Sequence, residues 1–276
     1  MLRETMALTV RELKHWYRVK VQVFMTMIMP LVWLGLFGQA FRLEELAMGP
    51  GVPPDMVQNL FAGAPNYFSF MAIGMLCVMV LFTCMFSGMS VVWDRRFGFL
   101  TKLQVAPIQR GIIPMSRVLS SVTRALIQSL IIFIIALAFA YIPGLVGLEI
   151  GPGFGIVELL LMVVILTLLA LGFAAIFTTI ALTIENQETL IGVINLLNLP
   201  IMFASAALFP TAFMPDWLKS VANLNPITWA ADGIRQLVFE NPQPIYDLSI
   251  DILGLVIFAG SFLLLGWFFA RRVLNR

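Results

Sequence analysis

From Leu159 to Ile184 the chain reads LLLMVVILTLLALGFAAIFTTIALTI, 26 residues without one Asp, Glu, Lys or Arg. A helix crosses the hydrocarbon core of a bilayer in about 20 residues, at about 1.5 Å each, so this stretch reads as a membrane span. Working outward, five more charge-free stretches stand out: 21–41, 56–93, 125–148, 189–215 and 252–270, of 21, 38, 24, 27 and 19 residues. In the longest, Gly63, Pro65 and Asn66 mark a turn, which leaves one span from Tyr67 to Trp93. The pattern predicts an all-α integral membrane fold: a segment 1–20, then one domain, 21–276, with six spans at about 21–41, 67–93, 117–142, 157–183, 189–209 and 251–270.

Composition agrees. The 276 residues are 60% hydrophobic and 12% charged, against about 25% charged in an ordinary soluble domain. With a mean hydropathy of +0.95, a globule of this size would leave large apolar patches in water. Cys77 and Cys84, both in an apolar run, exclude a disulfide scaffold. Six spans put both termini on one side, and cytoplasmic flanks collect Lys and Arg. Fourteen of the 17 basic residues fall on the side of the termini, with five of the 15 acids, giving +9 there and −7 opposite. The expected orientation has a retained N-terminus and both termini in the cytoplasm, with the protein multi-pass in the cytoplasmic membrane.

Residues 1–20 can form a helix with Leu2, Met6, Val10, Leu13 and Tyr17 on one face and Arg11, Lys14 and Arg18 on another. Such a helix is expected to lie on the inner leaflet. His15, the only histidine, lacks companions for a metal site. Gly49, Pro50, Gly51, Pro53 and Pro54 predict an irregular outer loop. The largest cytoplasmic segment, 94–116, is expected to hold a helix of about two turns over 97–105, stopped by Pro107, before Pro114. Between Phe209 and Ile250, Pro210, Pro215, Pro226, Pro242 and Pro244 break the chain, and two short helices, Asp216 to Asn223 and Ile227 to Phe239, fit between them. Too short to span, they are expected to dip into the outer leaflet under the shelter of the bundle.

Several chemistries are missing. A phosphate-binding loop needs Gly before its Lys, and none of Lys14, Lys20, Lys102 or Lys219 follows one. No metal or dinucleotide motif occurs, so neither catalysis nor a cofactor is expected in this chain. Ion-coupled carriers place ionisable groups in mid-membrane, whereas these spans are charge-free and Glu149, Glu158 and Asp251 fall at outer ends. The polar span residues noted are Asn195 and Asn198, Thr178, Thr179 and Thr183, and Ser87 and Ser90. Met71, Met75, Met79, Phe82 and Phe86 form a helical stripe that suits either plain packing or a soft, greasy ligand surface.

The run Asp94-Arg95-Arg96-Phe97-Gly98-Phe99-Leu100, continuing through Lys102 and Val105-Ala106-Pro107 to Arg110, resembles the first cytoplasmic loop of type-2 ABC exporter permeases, the daunorubicin-resistance-like branch above all. Ala207-Leu208-Phe209-Pro210, Pro215-Asp216-Trp217-Leu218, Leu224-Asn225-Pro226-Ile227-Thr228-Trp229 and Asp232 to Arg235 resemble that family's outer segment. The resemblance covers nearly the whole chain. It implies a half-transporter: two permeases pair, identical or paralogous, and each docks a separate ATPase subunit that binds ATP and Mg and drives export of hydrophobic drug-like or lipid-like molecules. The coupling residues implied are Asp94, Arg95, Arg96, Phe97, Gly98, Phe99, Leu100, Lys102, Pro107 and Arg110. Pathway-lining positions implied are Met75, Met79, Phe82, Phe86, Asn195, Asn198 and Met202. The outer gate, within 210–250, would use Phe209, Pro210, Trp217, Asn225, Pro226 and Trp229. Arg96 and Lys102 stand where the family pattern leads one to expect acids, which predicts an acidic groove on the ATPase. A lipid-linked glycan exporter permease, an ATP-independent channel or carrier, and a membrane assembly factor remain as alternatives.

Overall fold

The computed structural model describes residues 2–40, 59–96, 98, 111–184 and 186–274. Helix α1 (Leu2–Arg18) leads into α2 (Lys20–Val32), which passes through a π-helical turn (Trp33–Phe37) into α3 (Gly38–Ala40); together these form span one. Spans two to five are α4 (Tyr67–Arg96), α5 (Ile112–Phe139), α6 (Ile156–Thr183) and α7 (Gln187–Phe203). A 3-10 turn (Thr211–Phe213) and two short helices, α8 (Asp216–Asn223) and α9 (Pro226–Val238), precede span six, α10 (Leu248–Leu274). Five of these helices are long and apolar enough to cross a bilayer, and α7, at 17 residues, is the shorter sixth. No strand occurs among the described residues.

Span two is the pillar of the bundle. Its residues from Tyr67 to Val92 are mostly apolar and buried, which suits a helix enclosed by protein, and α5, α6, α9 and α2 pack against it. Backbone approach is closest at Gly74, where a Cβ would lie 1.9 Å from the Ala207 carbonyl oxygen, and at Gly88, where it would lie 2.9 Å from the Phe177 carbonyl oxygen. Span six lies at the rim and exposes Leu253, Ile257, Leu264 and Phe268.

Three boundaries differ from the sequence expectation. Span three begins at Ile112, not 117, because Pro114 fits the first helical turn, where its missing N–H has no intrahelical partner to lose. The expected 94–116 loop shrinks accordingly, since α4 runs on through Arg96. Span five stops at Phe203, not 209: Asn225 Nδ2 donates to the carbonyls of Ile201 and Ala204, 2.7 Å each, and so satisfies the end of the helix. In α1 the buried face is Thr5, Thr9, Glu12 and Trp16, while Met6, Val10 and Tyr17 are exposed. A helix at a bilayer surface turns its apolar stripe to lipid, which leaves its polar stripe to meet the bundle. The short helices α8 and α9 fall within one residue of their expected bounds. The proline-glycine loop at 49–54 and, apart from Gly98, the two-turn helix expected at 97–105 lie outside the described residues.

Candidate functional site

Three polar regions are built into this apolar bundle. The first runs along α4 and α5 on the side of α1. Thr83, Ser87, Ser90 and Asp94 recur every three or four residues, placing them on one face of α4, and Arg117, Ser121, Arg124 and Gln128 do the same on α5. The antiparallel helices zip these stripes together. Arg117 Nη2 pairs with Asp94 Oδ2, and Arg117 Nη1 donates to Ser90 Oγ at 2.7 Å. Ser121 Oγ donates to Ser87 Oγ, and Thr83 Oγ1 donates to Gln128 Oε1 at 2.7 Å. Span one joins where Gln128 Nε2 donates to Thr26 Oγ1 at 2.6 Å. Helix α1 joins at the other end through Glu12, whose Oε2 lies 3.1 Å from Arg117 Nη1 and 3.5 Å from Arg124 Nη2. Arg117, Arg124 and Glu12 are all buried, so each charge needs this pairing to offset its desolvation.

The second region is the re-entrant α9, whose Ile227, Thr228, Ala230, Ala231, Ile234 and Val238 are fully buried. Asn225 Oδ1 caps it by accepting from Ile227 N at 2.9 Å, and Pro226 occupies the first turn. Arg235 Nη2 donates to the Phe70 carbonyl at 3.0 Å, and its guanidinium sits 3.6 Å over the Phe70 ring. Asp232 Oδ2 accepts from Ile245 N and Tyr246 N, and Asp251 Oδ2 accepts from Gln236 Nε2 at 3.0 Å. Arg235 and Asp251, counted from sequence as outer flanking charges, are 1% and 0% exposed. The expectation of charge-free spans is therefore corrected, because Arg117, Arg124, Glu158 and Asp251 all lie within span helices.

The third region is the free face of α7. Asn195, at the middle of the span, is exposed beside Leu196 and Leu199. Asn198 is buried, and its Oδ1 finds no partner among the described residues. An exposed amide at this depth cannot rest against lipid tails without cost, so this face suits protein or water. Trp33 of span one touches Phe203 edge-on, with centroids 6.2 Å apart, setting span one beside α7.

The positions named from sequence thus separate. Asn195, Asn198 and Met202 share α7, with Met202 buried. Met75 and Met79 are wholly enclosed within the protomer and Phe82 nearly so, while Phe86 is half-buried; packing, not a lumen, surrounds the methionines in this conformation. In the outer segment Phe209 and Trp217 are exposed, Pro210 and Asn225 are buried, Pro226 is half-buried, and Trp229 Nε1 donates to the Asn223 carbonyl at 2.8 Å. Among the coupling positions, Asp94 pairs with Arg117, Arg95 and Arg96 close α4, and Gly98 holds a turn at φ +69°. Phe97, Phe99, Leu100, Lys102, Pro107 and Arg110 lie outside the described residues. Sequence reasoning missed Glu12, Thr83, Arg124 and Gln128. The helical spacing of 83, 87, 90, 94 and of 117, 121, 124, 128 was the signal that would have found them.

Long apolar helices that enclose buried charge, with a short buried helix between spans five and six, are the build of a multi-pass α-helical membrane protein. An ABC-2 type transporter domain matches residues 3–239. The chain belongs to the ABC-2 type transporter family. It is similar to a protein named as transport permease ycf38 of Cyanophora paradoxa, 30% identical over 255 residues, covering 90% of this chain and 81% of that one. It is also similar to the daunorubicin resistance ABC transporter permease protein DrrB1 of Streptomyces coeruleorubidus, 23% identical over 206 residues, covering 71% of this chain and 68% of that one. A third relative, named as doxorubicin resistance permease DrrC of Mycobacterium tuberculosis, is 23% identical over 188 residues, covering 66% of this chain and 63% of that one.

Proposed function

We propose that this chain is the permease half of an ATP-driven exporter that moves hydrophobic drug-like or lipid-like molecules out across the cytoplasmic membrane, with both termini in the cytoplasm. Energy comes from a separate ATPase subunit, two copies per transporter, docking at the 94–110 loop. The observation that carries the reading is the family match across residues 3–239 in a chain whose four lysines all lack the preceding glycine of a phosphate-binding loop. Relatives named as drug-resistance permeases support the substrate class. The exposed Asn195 on α7 supports a second permease copy against that face, because pairing shelters an amide that lipid would not. Substrate then passes between the copies along α7, past Asn195 and Asn198, and the exposed apolar side chains of α8, Trp217 and Val221, meet the outer leaflet near the exit.

Co-expression of the permease with a candidate ABC ATPase subunit from the same organism, followed by purification, tests the reading. A stable assembly of two permeases and two ATPase subunits is expected; a permease that runs alone in mild detergent and in lipid nanodiscs overturns it.

A further inference from the structure

Resting on that reading, we propose that Arg117 is a positioning residue that locks the mouth of the coupling loop, the N-terminal helix and span three into one rigid body. Two segments far apart in sequence, α1 and the end of α4, converge on this single guanidinium of α5. Asp94 closes the last described turns of span two before the loop, and it pairs with Arg117 Nη2. Glu12 comes from the middle of α1, 3.1 Å from Nη1, and Ser90, one helical turn before Asp94, accepts from the same nitrogen at 2.7 Å.

Two features separate this from an ordinary surface ion pair. The Arg117 side chain is only 5% exposed and that of Glu12 only 9%, so neither charge can turn to water when its partner leaves. Beyond Arg117 the contacts continue through Ser121 with Ser87 and through Gln128 with Thr83 and Thr26. A push on the loop at Asp94 therefore reaches mid-membrane through paired polar groups rather than through sliding apolar surfaces. The ends of the seam also differ in character: charge pairs stand at the loop, and neutral amide and hydroxyl pairs stand in the bilayer interior, where ionic groups cost most. Helix α1 follows because Glu12 faces both Arg117 and Arg124, and Thr9 Oγ1 reaches the Ser116 carbonyl at 3.4 Å.

The test uses the full chain in nanodiscs, alone and with its ATPase subunit, carrying spin labels at Met6 of α1 and Ile134 of α5, both exposed. Counting rises along α5 places the labels on the order of 30 Å apart. In the parent protein the distance distribution is expected to stay narrow, and to hold its mean when the ATPase binds and when ATP is added. Arg117→Gln is expected to widen the distribution at least twofold and to let its mean move on ATP binding. Arg117→Lys, which keeps a donor and the charge, restores the narrow distribution. The same Gln variant still binds the ATPase, yet loses at least fivefold of the change in ATP turnover that the permease imposes on it, and Lys recovers most of that change. Asp94→Asn, at the less buried end, reports the same decoupling if Arg117→Gln does not fold. A parent distance that shifts with ATP, or a Gln or Asn variant with parental distances and turnover, overturns the inference. A permease that never binds the ATPase overturns the exporter reading instead, while the distances measured on the permease alone still decide the lock.

Discussion

A single methyl group at position 74 is expected to do more damage than most side-chain deletions in this bundle. Gly74 faces the turn between α7 and α8, and a Cβ there would stand 1.9 Å from the Ala207 carbonyl oxygen and 2.5 Å from its carbon. Both obstacles are backbone, so no side chain can swing away. Relief to even a tight 3.0 Å contact needs a shift of about 1.1 Å in Ala207, and that segment is pinned on every side. Arg235 donates to the Ala207 carbonyl, Tyr67 donates to the Leu208 carbonyl at 3.0 Å, and Ala206 N donates to Thr228 Oγ1 at 2.9 Å. Overpacking costs about 1–3 kcal/mol, and loosening one or two of these bonds adds about 1 kcal/mol each. The expected loss for Gly74→Ala is about 3 kcal/mol, a fall in apparent melting temperature of about 6–12 °C for a chain of this size. Gly260→Ala in span six is the matched control: nothing lies within 4 Å of its Cβ, so it should melt at or slightly above the parent. Fluorescence-detected gel filtration of heated, detergent-solubilised protein reads both. Gly74→Ala melting within about 2 °C of the parent would refute the close approach and, with it, the packing of span two against the outer segment.

Other expectations follow from the same contacts. Asn225→Ala removes the cap on Ile227 N and both donors to the Ile201 and Ala204 carbonyls, so it should lose about 2–3 kcal/mol, and Asn225→Asp, which keeps the cap but turns a carboxylate oxygen on those two carbonyls, should lose at least as much; thermal melts of the two variants rank them. Gln128→Leu should cost only about 1 kcal/mol, because Thr83 and Thr26 can fall back on the Met79 and Val23 carbonyls, while the double change Thr83→Val with Thr26→Val strands the amide and should cost more. Charge reversal at both Arg96 and Lys102 is expected to weaken the coupling of ATP turnover to transport in reconstituted complex, and unchanged coupling would remove the argument for an acidic groove on the ATPase.

The spans were legible because a continuous apolar run needs no partner to declare itself: LLLMVVILTLLALGFAAIFTTIALTI predicts α6 nearly to its ends. The short outer helices were legible for a local reason as well, since Pro226 and Asn225 fix a helix start whatever lies around it. Faces were harder. The apolar stripe of α1 points away from the bundle, because in a bilayer the apolar side has lipid to meet and the polar side, Thr5, Thr9 and Glu12, seeks the protein. Met75 and Met79 form the stripe that sequence suggested, yet whether it meets a partner helix or a lumen depends on neighbours that are distant in the chain. Counting charges by side of the membrane placed Arg117, Arg124 and Arg235 as flanking residues, and a tally of signs carries no information about which of them will be buried. Reading polar residues at helical spacing on two successive spans would have paired Thr83 with Gln128 and Ser87 with Ser121 before any coordinates.

ATP-driven movement of substrate is the property that an exporter permease must show. Permease and ATPase subunit are reconstituted together so that the ATPase faces the bath, daunorubicin serves as the fluorescent probe, and accumulation in the vesicles is followed with ATP and with a non-hydrolysable analogue. Accumulation is expected with ATP and not with the analogue, abolished when the ATPase subunit is omitted or its phosphate-binding lysine is replaced, with ATP hydrolysis raised by the drug or by a lipid from a competing panel. Equal movement with and without ATP, or movement by the permease without its ATPase, would contradict it.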